Sequence, residues 1–449
     1  MVTSWRARRR EVLGAGAALG ATLALPGRAP AQGGAKPFQG VTLNVANFSH
    51  TYTQILPKLL PEFEAQTGIK VVYDTPSFPV YNQRADLEFS TKGAAYDVAN
   101  VTFIYSSRWI GAGWFTPLEP WLQDPAKTPA DYEVADIIPG AIAPMRDKKG
   151  AIHAIPWVAD AMIACAARFD IVQKAGFGMP ATWDELRAML QATHRKEGVA
   201  GYSTEANHNW AMMPIVHSLG GNLFRNPPED LMPTIDSPEV VEAAGYYAGL
   251  LRDFGAEGIL SFLVDQGVAA LKSGRTNYMT HALAFLATVG DPASSKAAAT
   301  AAYSMMPGGP KGRFPSVASH GWGLPAGSRN KDAGWAFITW ATSKQMQRRL
   351  LVEHGYGGVT RRSAVEAPEF KSRMTINGYD CGRMFLDVLE RAAATGHMAY
   401  RTVHVFPQVG LQVNKAVELI ASGQMGAKEA MVQAQAQALA DLRRAGVKL

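Results

Sequence analysis

Ten histidines, two cysteines and 38 acidic residues give this 449-residue chain ample material for chemistry. None of it falls into a catalytic spacing. There is no Gly-x-Ser-x-Gly elbow to present a nucleophile, no glycine-rich phosphate loop ending in Gly-Lys-Ser/Thr, and no His-Glu-x-x-His to hold zinc. His397 and His404 stand seven apart, which on a helix would put them on one face, but no third ligand is near them in sequence, so no metal site is expected. Two carboxylates could serve as acid and base on a glycosidic bond only at a defined separation, which a sequence does not fix. No cofactor is called for and the chain does not read as an enzyme.

What recurs instead is an aromatic residue beside a polar one: Phe48-Ser49-His50, Trp157 near Asp160, Asn209-Trp210, and His320-Gly321-Trp322. An aromatic ring offers an apolar face to the C–H face of a sugar, and a neighbouring carboxylate or amide can take its hydroxyls. The candidate ligand-binding set is therefore Trp157 and Trp322 as stacking rings, Asp160 as hydroxyl acceptor, and Asn47, His50, Tyr81, Asn100, Trp210, His281 and His320 around them. The competing reading of any single tryptophan among the ten is that it fills a core. Gly321 and Gly323, which flank Trp322, would leave room for a flat solute beside the ring. Tyr246-Tyr247 falls inside an amphipathic helical pattern that sends one ring to the core and one to solvent.

These residues need a scaffold, and strand and helix patterns alternate along the chain in the manner of α/β lobes on largely parallel sheets. Strands are expected at 41–45, 69–73 and 96–101. A helix through Ile55, Leu56, Leu59, Leu60 and Phe63 should close at Gly68, weakened by Pro57 and Pro61. Thr182-Trp183-Asp184-Glu185 is a capping box whose helix Gly198 should stop, and Ser237-Pro238-Glu239 opens a helix that runs to Gly255. Further helices are expected over 332–341, 413–420 and 427–444. In an open α/β sheet, ligands collect outside the carboxyl ends of strands, which is where most of the aromatic–polar pairs fall.

A hydrophobic fraction of 47% against 18% charged is that of a globular chain with a large core, and the length suggests more than one domain. Of the six net positive charges, four come from Arg6, Arg8, Arg9, Arg10 and Arg28 set against Glu11. The remainder is near neutral, so nucleic acid is not an expected partner. The arginine run, the apolar stretch from Val12 to Leu25 and the small residues ending at Ala31 form a cleavable export signal over 1–31. Arg9-Arg10-Glu11-Val12-Leu13 resembles a twin-arginine motif, with an ordinary secretory signal as the other reading. The product is then periplasmic and monomeric. Cys165 and Cys381 are read as two separate thiols in that oxidising compartment.

Several fragments in fixed order resemble the extracellular solute-binding proteins of ABC importers that take up maltose, glycerol-3-phosphate and polyols. They are Phe63-Glu64-Ala65-Gln66-Thr67-Gly68-Ile69-Lys70-Val71, Tyr96-Asp97-Val98, Pro180-Ala181-Thr182-Trp183-Asp184-Glu185-Leu186, Pro307-Gly308-Gly309-Pro310 and Gly321-Trp322-Gly323-Leu324. The resemblance implies a two-lobed α/β periplasmic binding protein fold of type II with three interlobe crossings, near 157–159, 311–314 and 357–361. Lobe 1 would then hold 32–158 and 313–358, and lobe 2 would hold 159–312 and 359–449. It also implies delivery of a small sugar or polyol to the permease subunits of an ABC transporter. His320 and His281 stand where the family commonly has glycine, Asn100 replaces a frequent aspartate, and Arg361-Arg362 lacks the proline of the late "P-x-R" position. These departures keep a phosphorylated or carboxylated solute open, and a secreted carbohydrate hydrolase using Asp160 is the rival from another class.

Overall fold

The computed structural model describes residues 36–447, so the export signal of 1–31 lies outside the described residues. Eight strands form one sheet: β1 (Thr42–Ala46), β2 (Lys70–Asp74), β3 (Val98–Thr102), β4 (Ala154–Ala166), β5 (Ala200–Tyr202), β6 (Thr276–Ala282), β7 (Ala302–Ser304) and β8 (Val317–Gly323). Their order is β2-β1-β3-β8-β4-β6-β5, with β7 also paired to β4. The outer pairs β1–β2, β1–β3 and β5–β6 are parallel, as the alternating pattern demands. The middle is not: β8 runs antiparallel to both β3 and β4, and β4 runs antiparallel to β6 and β7. The expectation of largely parallel sheets fails there because β4 and β8 bring the chain from one half of the molecule into the other, so each meets its neighbours head to tail.

β4 is the spine. All thirteen of its residues are buried. Its first half pairs with β8, from Ala154 opposite Gly323 to Ala161 opposite Val317. Its second half, Met162–Ala166, pairs with β6 in the other lobe. A third segment passes beside its midpoint, where the Ala159 N–H donates to the Gly358 carbonyl at 3.1 Å and the Thr360 hydroxyl to the Pro156 carbonyl at 3.0 Å. A Cβ on Gly358 would meet the Val158 side chain at 2.8 Å, so the approach requires glycine. Lys311 is still tied to the second half through its N–H to the Ser218 carbonyl, and the return passage runs through Ser316, whose carbonyl accepts from Met162 N–H at 3.0 Å.

Local signals hold with shifts that have clear causes. The pattern read as one helix through Phe63 is a helix Thr51–Ile55, a tight turn Leu56–Lys58 and a helix Leu60–Thr67, because Pro57 and Pro61 each restart the hydrogen-bond ladder; Gly68 then caps with φ of 80°. Thr182 accepts from Glu185 N–H, while the Glu185 carboxylate takes Ala181 N–H rather than that of Thr182. That helix, Trp183–Thr193, ends at His194 and not at Gly198, which lies in the next turn. Pro238–Phe254 forms as expected, and Tyr247 is buried in it while Tyr246 is half-buried. The helix sought from Val413 begins at Phe406. Cys165 and Cys381 are free and buried, and burial pushes the Cys381 thiol up to about 12 and that of Cys165 further. Among the described residues no helix is long and apolar enough to cross a membrane.

Candidate functional site

The loops at the carboxyl ends of the strands converge on a cavity of about 280 Å³ between the two halves. β1 delivers Phe48, Ser49 and His50, β2 delivers Phe78 and Asn82, and Phe103 follows β3. From the other side, Glu205, Asn209 and Trp210 follow β5, while His281 ends β6 and Phe285 follows it. The floor is Asp160 on β4 with Ala318 and His320 on β8. Arg401, Phe406, Leu411 and Asn414 close it from the C-terminal region. Across the mouth, the Ser49 hydroxyl donates to the Asp265 carboxylate at 2.9 Å.

Several wall residues are held by the fold and keep a polar atom free. His50 caps the helix Thr51–Ile55, its Nδ1 accepting from Tyr52 N–H at 3.1 Å, so the ring proton sits on Nε2, which faces Asp160 Oδ1 at 3.6 Å. That Asp160 oxygen has no hydrogen-bond partner in the protein. Asn209 is fixed by its backbone N–H to Asn414 Oδ1 at 2.7 Å, leaving its own Oδ1 unpartnered. Trp210 packs edge-on against His281 with ring centres 4.9 Å apart, and its indole N–H is unpartnered. His281 approaches Glu205 at 3.3 Å. His320 sits among Phe48, Phe78, Phe103 and Trp157, and burial, with the charge of Arg401 adding to it, holds it neutral by pushing its pKa well below the usual histidine value. Buried polar atoms without partners are uncommon, and several of those in this protein, on His50, Asn82, Asp160, Asn209, Trp210, His281, His320 and Arg401, belong to residues of this cavity.

Of the ten residues singled out in the sequence, the cavity wall contains His50, Asp160, Trp210, His281 and His320. The other five lie beneath it. Trp157 is fully buried, with its indole N–H donated to Asn100 Oδ1 at 2.9 Å. Trp322 is also fully buried, packed on Tyr52, Tyr73 and Phe337. The stacking role read for these two rings does not fit their position: the space beside Gly321 is filled by Ala154 and Met145, and that beside Gly323 by Phe115 and the His153 carbonyl. The Tyr81 hydroxyl donates to the Asn100 carbonyl at 2.5 Å, and Asn47 Oδ1 accepts from Phe48 N–H at 2.8 Å, so Tyr81, Asn100 and Asn47 brace the floor. Sequence reasoning missed Asn82, Glu205, Arg401 and Asn414, which carry no motif. Asn209 stood beside Trp210 as a signal.

The sequence matches bacterial extracellular solute-binding protein over residues 48–348. The chain belongs to this family. Its members bind solutes and are not enzymes. A mannitol-binding protein of Pseudomonas aeruginosa is 26% identical over 415 residues, covering 88% of this chain and 90% of that protein. Two solved structures superpose with a TM-score of 0.80, each covering 90% of this chain and 99% of the other: a solute-binding protein of Agrobacterium radiobacter in complex with ribitol, 22% identical, and one of Agrobacterium vitis with bound D-mannitol, 23% identical. These superpositions establish the two-lobed α/β periplasmic binding protein fold.

Proposed function

We propose that this protein captures a neutral polyol or sugar in the interlobe cleft and delivers it to the permease of an ABC importer from the periplasm, as a monomer exported by its N-terminal signal. The observation that carries this reading is the set of unpartnered donors and acceptors at the cleft, among them Asp160 Oδ1, Asn82 Oδ1, Asn209 Oδ1 and the Trp210 indole N–H. Hydroxyl groups both donate and accept, and so can satisfy such a mixed set at once. Charge speaks against the anionic alternative: the cavity wall holds the carboxylates of Asp160, Glu205 and Asp265 against the one guanidinium of Arg401. The mannitol, ribitol and erythritol named for similar proteins agree with a short neutral polyol. Hinge bending at residues 158–161, 316–319 and 357–361 would close lobe 1 (to residue 158, and 313–358) on lobe 2.

Thermal-shift titration with D-mannitol, ribitol, erythritol, maltose, D-gluconate and glycerol-3-phosphate tests the reading. A true ligand at one hundred times its Kd should stabilise the protein by about 2.7 kcal/mol. Stabilisation by the neutral compounds supports the proposal, and stabilisation by the two anions alone refutes it.

A further inference from the structure

Arg401 ends the short helix His397–Arg401 and is buried, yet its Nε has no hydrogen-bond partner. Among the described residues no carboxylate lies within ion-pair distance of it. What surrounds it is aromatic: its guanidinium carbon lies 4.6 Å from the ring centre of Phe103, 5.3 Å from that of Trp210 and 5.7 Å from that of Phe406. Burial away from an acceptor pushes its pKa down to about 10, the mark of a cation that its own protein does not satisfy. A guanidinium whose faces are covered by rings has only its N–H edge left to offer, and Arg401 is part of the cavity wall.

We propose that Arg401 is the specificity-determining residue of the cleft, its fork donating to two adjacent hydroxyl oxygens of a neutral acyclic polyol while Asp160 and Glu205 accept from that polyol's O–H groups. This rests on the solute-binding reading above and narrows it. A fork of parallel N–H donors selects two acceptors held side by side, which a vicinal diol supplies. An anionic group on the same fork would share the cavity with the Asp160 and Glu205 carboxylates. A ring sugar needs an open aromatic face, and the Trp210 ring already faces Arg401 and takes His281 edge-on. Phe48 is likewise enclosed by Phe78, His50 and His320. An open-chain solute makes no such demand.

The test is calorimetric titration of the full exported chain and its Arg401→Met and Arg401→Lys variants with D-mannitol, ribitol, methyl α-D-glucopyranoside and D-gluconate, with the melting temperature of each empty protein. The wild type should prefer the two polyols. Arg401→Met should weaken polyol binding about 10- to 100-fold, the scale of hydrogen bonds to a charged group. Its empty form should melt at the same temperature or higher, because an unpaired buried charge has gone. Arg401→Lys keeps the charge without the fork and should also bind polyols more weakly, so the test survives misfolding of the methionine variant. Unchanged polyol affinity in a folded variant overturns the proposal, as does a lowered melting temperature of the empty protein with affinity intact. Preference of the wild type for the glucopyranoside overturns it while leaving the solute-binding reading in place; binding of none of the neutral compounds removes both.

Discussion

Among the described residues two arginines are fully buried, and they lead opposite lives. Arg361 donates through Nε to the Thr342 carbonyl at 2.7 Å and through Nη1 to the carbonyls of Tyr132 at 2.7 Å and Glu133 at 3.0 Å, with Asp136 at 3.5 Å and the Tyr132 ring beneath it. Arg401 has aromatic rings for neighbours and an Nε with no acceptor. Burial and residue type are the same, so neither identifies a binding residue. What separates them is how far the fold has satisfied the donors: Arg361 places Nε and Nη1 on carbonyls and leaves Nη2 without a partner, whereas Arg401 has no such carbonyl at Nε. The tryptophans divide the same way: Trp157 spends its N–H on Asn100, and Trp210 keeps its own.

The largest effect should come from the satisfied side. Arg361→Met removes the cation beside Asp136 and takes a donor from the carbonyls of Thr342, Tyr132 and Glu133, so the empty protein should lose about 3–5 kcal/mol in urea unfolding. A variant as stable as the parent would erase the contrast with Arg401. Trp322→Ala should fall in the same range, about 3–5 kcal/mol, since a core ring is lost. Little loss of stability together with weakened binding would instead restore Trp322 to the cleft.

Histidines sharpen the contrast through pH. Burial is the main cause that lowers the pKa of His208 to about 4 and of His217 to about 3, with partners at Tyr247 and the Gly221 carbonyl. The unfolded chain, with histidines near 6.5, binds more protons than the native state between these values. Stability is therefore full above about pH 6.5 and declines as pH falls toward 4 and then 3, at about 1.4 kcal/mol per pH unit for each histidine. Urea midpoints at pH 7, 5.5 and 4.5 should fall in that order; a flat series would mean that these rings are not held neutral.

Trp210→Ala should weaken polyol binding by about 1–3 kcal/mol with a smaller change in the empty protein, the reverse of Trp322→Ala. The smallest effect belongs to the rim, where Ser49→Ala removes one exposed bridge to Asp265; binding should weaken by about 0.5–1.5 kcal/mol, measured by calorimetry. No change there would show that the mouth is held by apolar contact alone.

How much of this was legible follows from where the information lies. Residues placed by strand ends could be read, because β1, β5 and β6 deliver His50, Trp210 and His281 to one side of the sheet by rule. Depth could not. His320 and Trp322 stand two apart on β8, and that step of roughly 6–7 Å along the strand carries the chain from the cleft into the core. Arg401, Glu205 and Asn414 had no local signature, since what defines them is an acceptor that is missing or a partner some two hundred residues away, as for Asn414 and Asn209. The crossed middle of the sheet was hidden for the same reason: strand direction at β4 and β8 depends on which lobe the chain has just left.

The sharing of β4 has a consequence for how the molecule comes apart. Neither lobe owns a finished sheet: removal of one strips hydrogen-bonded neighbours from half of a thirteen-residue buried strand and leaves an apolar open edge. The two halves are therefore joined through one continuous buried strand, and any closing of the cleft would have to flex that girder and not swing two bodies on a string.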